Sequence, residues 1–543
     1  MSEQFNSQQK IFSLTWLAYS TSLPIVCKGS QEYLQNLAIQ IVTEVFADAK
    51  IRKLIGKWQR VWGPAIYQHE GIFNSQVSDN TMFVAKYLGD SEPNVDHYVI
   101  SIAGTNFESM YDWILEDNDI ATTRDWNKGQ PWKSIQEVAD PKDPAISNGV
   151  TRGLKNLMTK LQDQGKLLFD CLREITINAK KPIKLTVTGH SLAGSLAPFT
   201  ALGLVDRKSE WDPKNIATVE AFSVAGISPA NSSLAKYYDK TFGASSTRVW
   251  NNIDFFPTMM WAQAGIKKAP GLYAPHVPAS IIVQNLCDFF NKVSQGNDYQ
   301  PIDRTNQGYS GKYNYSLDIQ NIKNQQNKSN LEQQCGKIIA YAWLSEMKKV
   351  PSVLPFVENK LEILVTKLTP TIAEYIDDLV RNYSMTGNVS DDVDTVLESK
   401  LNDIINSLLG TDLNLHNLGL YDHFNSKLLS PKQILNVVNF FSQIMYQHVD
   451  TYVEYFGATE YEQRRQEITT KVIGKVGATE NKIQKPNTVI VNYGSAESDD
   501  IKDLYKGKGK IFKQLGGVME KLKGANEVSQ DAQPVVLIVK KKK

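Results

Sequence analysis

Leu185-Thr-Val-Thr-Gly-His-Ser-Leu-Ala-Gly-Ser-Leu-Ala197 is the stretch on which the reading of this chain turns. Ile183, Leu185 and Val187 recur with a period of two, which predicts a strand, and the run stops at Gly189. Small residues from Ala193 onward suit the start of a helix. Strand, sharp turn and helix place Ser191 at the apex. A serine hydroxyl is a weak nucleophile and works only when it faces a base and stands clear of its own backbone. Gly189 lets the turn close, and Ala193 and Gly194 keep bulk away from the hydroxyl. The helix would aim backbone N–H groups, Leu192 first, at any oxyanion formed there. Ala193 stands where the strict Gly-x-Ser-x-Gly elbow has its second glycine, which strains the fine geometry rather than the role.

The length of 543 residues allows two to four domains, or one large domain with insertions. A formal net charge of +1 excludes a global field that would recruit nucleic acid. The charge is uneven: residues 506–543 hold ten lysines against Glu520, Glu527 and Asp531. Cys27, Cys171, Cys287 and Cys335 are too scattered for a metal site or a disulfide framework, so neither metal nor cofactor is expected. The first residues lack a basic region followed by an apolar run, and no stretch reaches the roughly 18–20 apolar residues of a membrane span. The expectation is a cytoplasmic chain, or one exported by a leaderless route.

Working outward, Glu32 to Lys57 reads as helix, Trp62-Gly63-Pro64 as a break, and Tyr98 to Ala103 as a buried strand ending at Gly104. Residues 118–148 read as a long loop. Gly153 to Ile175 has helical spacing and leads into the 183–188 strand, and 217–224 and 247–253 are further strands. Strands alternating with helices predict an α/β fold with a mostly parallel central sheet flanked by helices. Residues 295–333, rich in Asn, Gln, Tyr and Ser, read as loop or mobile insertion. Beyond them the pattern is helical. Ser390 reads as an N-cap, and Ser430-Pro431 opens a helix running toward Phe456. Residues 507–523 read either as a basic amphipathic helix or as a solvated tail, and Val535–Val539 either as an edge strand blocked by lysines or as an appendage outside the fold.

A serine nucleophile needs a second oxyanion donor from a neighbouring strand end, and Thr105, after Gly104, is placed to supply it. An acid must follow the serine to hold an imidazole, and Asp254, after the 247–253 strand, fits that order. Gly104-Thr105 with Asp112-Trp113, Asn148 to Leu154, the Gly189-to-Gly194 elbow and Arg248-Val-Trp-Asn-Asn-Ile-Asp254-Phe-Phe-Pro257 occur in one order. Together they resemble the class 3 lipase family, the fungal-lipase-like α/β-hydrolases. Of the seven histidines, His69 and His97 precede the elbow, and His190, beside the nucleophile, is expected to point elsewhere and pack. The resemblance makes His448, in a closing His-x(3)-Tyr element with Tyr452, the base. His423 and His276 remain as alternatives. It also makes Phe107, Met110, Trp113 and Ile114 a lid whose apolar face covers an acyl pocket, although permanent core packing explains Trp113 and Ile114 too.

The long interval from Asp254 to His448 implies a large, mainly helical insertion. The expected order is a hydrolase core over 1–280, an insertion or cap over 281–430, a return to the core over 431–460, and a basic, partly flexible tail over 461–543. The expected function is hydrolysis of carboxylic esters of lipids, triacylglycerol or phospholipid, by Ser191, Asp254 and His448, with lipid-surface contact as a further expectation. An inactive lipase-fold binding protein and an exported membrane-damaging phospholipase are the alternatives.

Overall fold

The computed structural model describes residues 4–23, 25–68, 77–89, 94–104, 120–129, 142–259, 263–303, 306, 308–317, 328–347, 354–389, 397, 399–401, 403, 404, 407, 430–480, 488–494, 508–524 and 533–538. These form two compact units, one running to Ile468 and one from Thr469 onward.

The first unit is built on six strands, β1 (Trp58–Tyr67), β2 (Asn80–Tyr87), β3 (Asp96–Ala103), β4 (Ile183–His190), β5 (Ala217–Val224) and β6 (Ser246–Val249), hydrogen-bonded in that order. β1–β2 and β2–β3 pair antiparallel, and β3 to β6 pair parallel. Val99, Ile100, Ile102, Leu185, Val187 and Ala221 are buried, the near-continuous apolar texture of strands covered on both faces. One cover is α1 (Ser7–Leu17), held by an Asn6–Gln9 capping box. Ser101 Oγ donates to Leu14 O at 2.7 Å, and Thr15 and Thr188 pair through their hydroxyls at 2.6 Å. α2 (Gln31–Ala47), α3 (Asn148–Thr159) and α4 (Leu168–Asn178) follow, and α5 (Leu192–Asp206) springs from the elbow and packs on β4 and β5.

Several elements depart from the sequence pattern. The expected helix over 32–57 breaks at Asp48, whose carboxylate accepts from Lys50 N and Ile51 N and so caps a separate helix, Ala49–Ile55. Trp62-Gly63-Pro64 is not an end but an irregularity inside β1, with Gly63 at φ +67° and register shifts between Arg60 and Ala65. β1 is an edge strand, where a missing N–H breaks no inner ladder. The helical stretch from Gly153 to Ile175 is α3 and α4 joined by a tight turn at Asp163–Lys166. Gln164 (φ +50°) and Gly165 (φ +77°) give that turn the paired left-handed residues of a type I′ hairpin. The expected 118–148 loop contributes Thr123–Asp125 and Ala145–Ser147 to a four-stranded sheet with Ala230–Asn231 and Tyr299–Gln300. Pieces of two or three residues show no periodicity in sequence.

Further along lie α6 (Ser232–Phe242), α7 (Ile281–Val293), α8 (Lys328–Met347), α9 (Leu354–Thr386) and α10 (Pro431–His448). α8 and α9 pack on each other and on α10, burying Ile338, Ile339, Trp343, Leu364, Leu368 and Ile372. Ser430 caps α10 with Pro431 at its first position, as expected. The helix stops at His448 instead of running to Phe456. The chain kinks at Val449 (φ −118°, ψ −69°) into α11 (Asp450–Tyr455), and α12 (Thr459–Glu480) follows. Leu397 and Leu401 are buried, whereas Ser390 lies outside the described residues.

The second unit holds two parallel strands, β7 (Thr488–Gly494) and β8 (Gln533–Ile538), with α13 (Gly509–Gly524) between them in sequence. Of the two readings of residues 507–523, the helix is the one found. Ile511, Leu515 and Met519 are buried at helical spacing, and Lys510, Phe512 and Lys513 are exposed. No helix among the described residues is long and apolar enough to cross a membrane.

Candidate functional site

β4 delivers Ser191 to the N-terminus of α5 with φ +62° and ψ −127°. A non-glycine residue held there costs about 1–3 kcal/mol, so its surroundings must impose it. Ser191 N donates to Val224 O at 3.0 Å, tying the elbow to β5. A Cβ on Gly194 would meet Val224 O at 2.2 Å, and one on Gly189 would meet Ala193 O at 2.3 Å. The methyl of Ala193 is accommodated because Gly189 faces it; a Cβ on Gly189 would lie 2.6 Å from Ala193 Cβ. Leu192 is the first residue of α5, so its N–H has no acceptor within the helix. Thr105 and the lid residues Phe107, Met110, Trp113 and Ile114 lie outside the described residues.

Three side chains from distant parts of the chain meet at the elbow. His448 Nε2 lies 2.7 Å from Ser191 Oγ, and His448 Nδ1 lies 2.8 Å from Asp254 Oδ2. The carboxylate can only accept, so Nδ1 carries the proton and Nε2 is free to accept the serine proton. Ser191 is 6% exposed, and Asp254 and His448 are fully buried. Asp254 Oδ1 accepts from Phe256 N at 3.1 Å, and Oδ2 also accepts from Tyr452 Oη at 2.8 Å. Burial, with Asp254 beside it, pushes the Tyr452 phenol well above its ordinary range, so it remains a donor. The Phe256 ring lies 4.4 Å from the imidazole.

Local sequence explains these positions. β6 ends at Val249, and a turn in which Asp254 N donates to Asn251 O presents the carboxylate. Asn251 is three residues before the acid. Its amide donates to Gln447 Oε1 at 2.7 Å and to Thr451 Oγ1 at 3.2 Å, tying the acid loop to the helices that carry the imidazole. Its backbone N–H donates to Tyr452 Oη at 2.9 Å. The four-residue spacing of His448 and Tyr452 brings both to the same carboxylate oxygen.

Sequence reasoning missed the role of His190. It packs, but not away from the site. Its Nε2–H donates to the backbone carbonyl of His448 at 2.7 Å. Burial, then the nearby His448, holds its pKa well below the usual value, so the ring is neutral and Nδ1 is an acceptor. Tyr19 Oη lies 3.1 Å from that nitrogen and 3.0 Å from His190 O, which share its one proton, and it accepts from Gly104 N–H. Only the adjacency of His190 to the nucleophile hinted at this. His276 faces Tyr315 Oη at 3.1 Å and the Tyr313 ring at 4.6 Å, and it makes no contact with Ser191. His423 lies outside the described residues. The four cysteines are free and buried, and among the described residues no cluster of three His, Cys, Asp or Glu could hold a metal ion.

With that geometry in view, the family comparison can be set beside it: residues 99–264 match the family model "Lipase (class 3)". The matched residues run from within β3 through the elbow and the acid loop. Residues 475–543 match a family of unknown function (DUF6200), which lies within the second unit. No curated protein matches the chain. Among solved structures, this chain is similar to M37 lipase at 24% identity, covering 58% of this chain and 87% of that one with a TM-score of 0.48. It is also similar to lipase II from Rhizopus niveus at 16% identity, covering 48% of this chain and 76% of that one with a TM-score of 0.30. A third likeness is to a lipase from Rhizopus microsporus var. chinensis, at 14% identity, 47% and 76% coverage and a TM-score of 0.28.

Proposed function

We propose that the protein hydrolyses carboxylic esters of lipids by a Ser191–His448–Asp254 triad. The family match supports the coarser statement, a hydrolase of lipase type. The observation that carries the finer one is the imidazole of His448 held between Ser191 Oγ at 2.7 Å and Asp254 Oδ2 at 2.8 Å. As Ser191 attacks an acyl carbonyl, its proton passes to His448 Nε2. Asp254 holds the tautomer and stabilises the imidazolium. The Leu192 N–H, with Thr105 as second donor, would hold the oxyanion, each donor contributing about 10²–10³ in rate. The imidazolium protonates the leaving alcohol. Water, deprotonated by His448, then cleaves the acyl-enzyme. Triacylglycerols and phospholipids both present such an ester.

p-Nitrophenyl esters of increasing acyl length, assayed with wild type and Ser191→Ala, test the reading. Activity is expected in wild type only, together with labelling of Ser191 by a fluorophosphonate. Undiminished hydrolysis by the Ala variant would overturn it.

A further inference from the structure

Residues 295–333 carry only weak periodicity, yet Gly308–Asn314 is pinned to the two pieces that hold the proposed acid and base. Tyr309 N donates to Trp250 O and Asn252 N donates to Tyr309 O, each at 2.9 Å, so this segment pairs like a strand with the turn leading to Asp254. Gly311 N donates to Asn252 Oδ1 at 3.1 Å. On its other side the segment grips α10. Gln447 Nε2 donates to Lys312 O at 2.7 Å, and Gln443 Nε2 donates to Asn314 O at 2.7 Å. Gln443 Oε1 accepts from Asn314 N at 3.2 Å. Tyr309 Oη pairs with Thr451 Oγ1 at 3.0 Å, and its ring stacks on Tyr455 with centroids 4.1 Å apart. Gln443 and Gln447 are fully buried and one turn apart, with Gln447 next to His448.

The glycines show how close this approach is. A Cβ on Gly311 would lie 2.1 Å from Asn251 Oδ1 and 2.4 Å from Ile253 Cγ1. Asn251 cannot swing away, because its amide is bonded to Gln447 and Thr451 and its Oδ1 accepts from Ile253 N. Gly308 sits at φ +72°, where a Cβ would meet Trp250 O at 2.7 Å.

We propose that Gly308–Asn314 is a clamp that fixes the Asp254 turn against the His448 helix, with Tyr309, Gln443 and Gln447 as positioning residues. It rests on the triad reading and adds that the long interval between acid and base contributes to the site. Asp254 and His448 arrive on separate segments, and the clamp is bonded to both. Loosening it lets the Nδ1–Oδ2 distance fluctuate without touching the ester pocket, so turnover should suffer rather than substrate binding.

The test uses full-length Gln447→Met, Gln443→Met and Gly311→Val with a soluble p-nitrophenyl ester. Expected are a 10- to 100-fold fall in kcat with KM within twofold, a matching fall in the rate of fluorophosphonate labelling, and broadening of the downfield proton resonance of the His448–Asp254 hydrogen bond. Folding is checked by thermal melting; if Gly311→Val does not fold, the two methionine variants decide. Wild-type kcat and an unchanged resonance in those variants would overturn the clamp while leaving the triad intact. Absence of labelling in wild type would overturn the triad instead.

Discussion

At Ser191 the backbone has a conformation it would not choose alone, and single atoms around it decide whether it persists. Gly189→Ala puts a methyl about where Ala193 O already stands, at 2.3 Å, and a carbonyl oxygen in a helix has nowhere to go. We expect a loss of roughly 3 kcal/mol or more in stability and little fluorophosphonate labelling, read by urea unfolding and mass spectrometry. Asp254→Asn keeps the shape but reverses the tautomer demanded of His448, so kcat should fall about 10⁴-fold with the melting temperature much less affected. Tyr452→Phe removes a donor to Asp254 and leaves the Asn251 N–H without its acceptor. A cost of about 1–3 kcal/mol is expected by urea titration, with a smaller fall in kcat than Asp254→Asn produces.

At the scale of elements, α10 is the piece to question. Its apolar stripe of Ile434, Val437, Val438, Phe441 and Ile444 is buried, and its C-terminus carries the imidazole. Ser430 Oγ accepts from Gln433 N at the other end. Ser430→Ala should cost about 1 kcal/mol of stability yet leave kcat nearly unchanged. The cap acts more than four turns from His448, and the Gln443 and Gln447 bonds hold the end that matters. A large fall in kcat would show that the helix moves as a rigid rod.

For the whole molecule, one buried and one half-buried neutral histidine shape the response to acid. Burial, with Lys184 nearby, lowers His97 to about 4, and His190 is also held well below its ordinary value. Both bind a proton more readily when unfolded, near pH 6.5. The contribution of His97 is therefore complete above about pH 6.5 and is lost as pH falls toward 4, and that of His190 is lost in the same direction. The slope is at most about 1.4 kcal/mol per pH unit for each, less for His97, which solvent partly reaches. Urea midpoints at pH 7.5 and 5 should show it, and His97→Gln should flatten the dependence. A chain ended after Glu480 should keep its soluble-ester hydrolysis.

Local patterns carried much of this in the residues alone. The alternation before Gly189, the apolar run before Gly104 and the Ser430-Pro431 start each report on neighbours a few positions away, and such signals survive without a fold. β1 and the small four-stranded sheet were illegible because an edge strand tolerates Pro64 and because two-residue strands have no period. Motif order points to Ser191 and Asp254, and the family resemblance points to His448 ahead of His423 and His276; the triad they would form is a proposal. The lid residues and Thr105, on segments outside the described residues, stay at the level of expectation. What only tertiary structure decided are the contacts between segments whose own sequences are bland: His190 on the carbonyl of His448, and Gly308–Asn314 across the acid turn and α10. A hydrogen bond to a backbone carbonyl accepts any residue at that carbonyl, so it leaves no mark in the order of side chains and exists only once the chain has closed on itself.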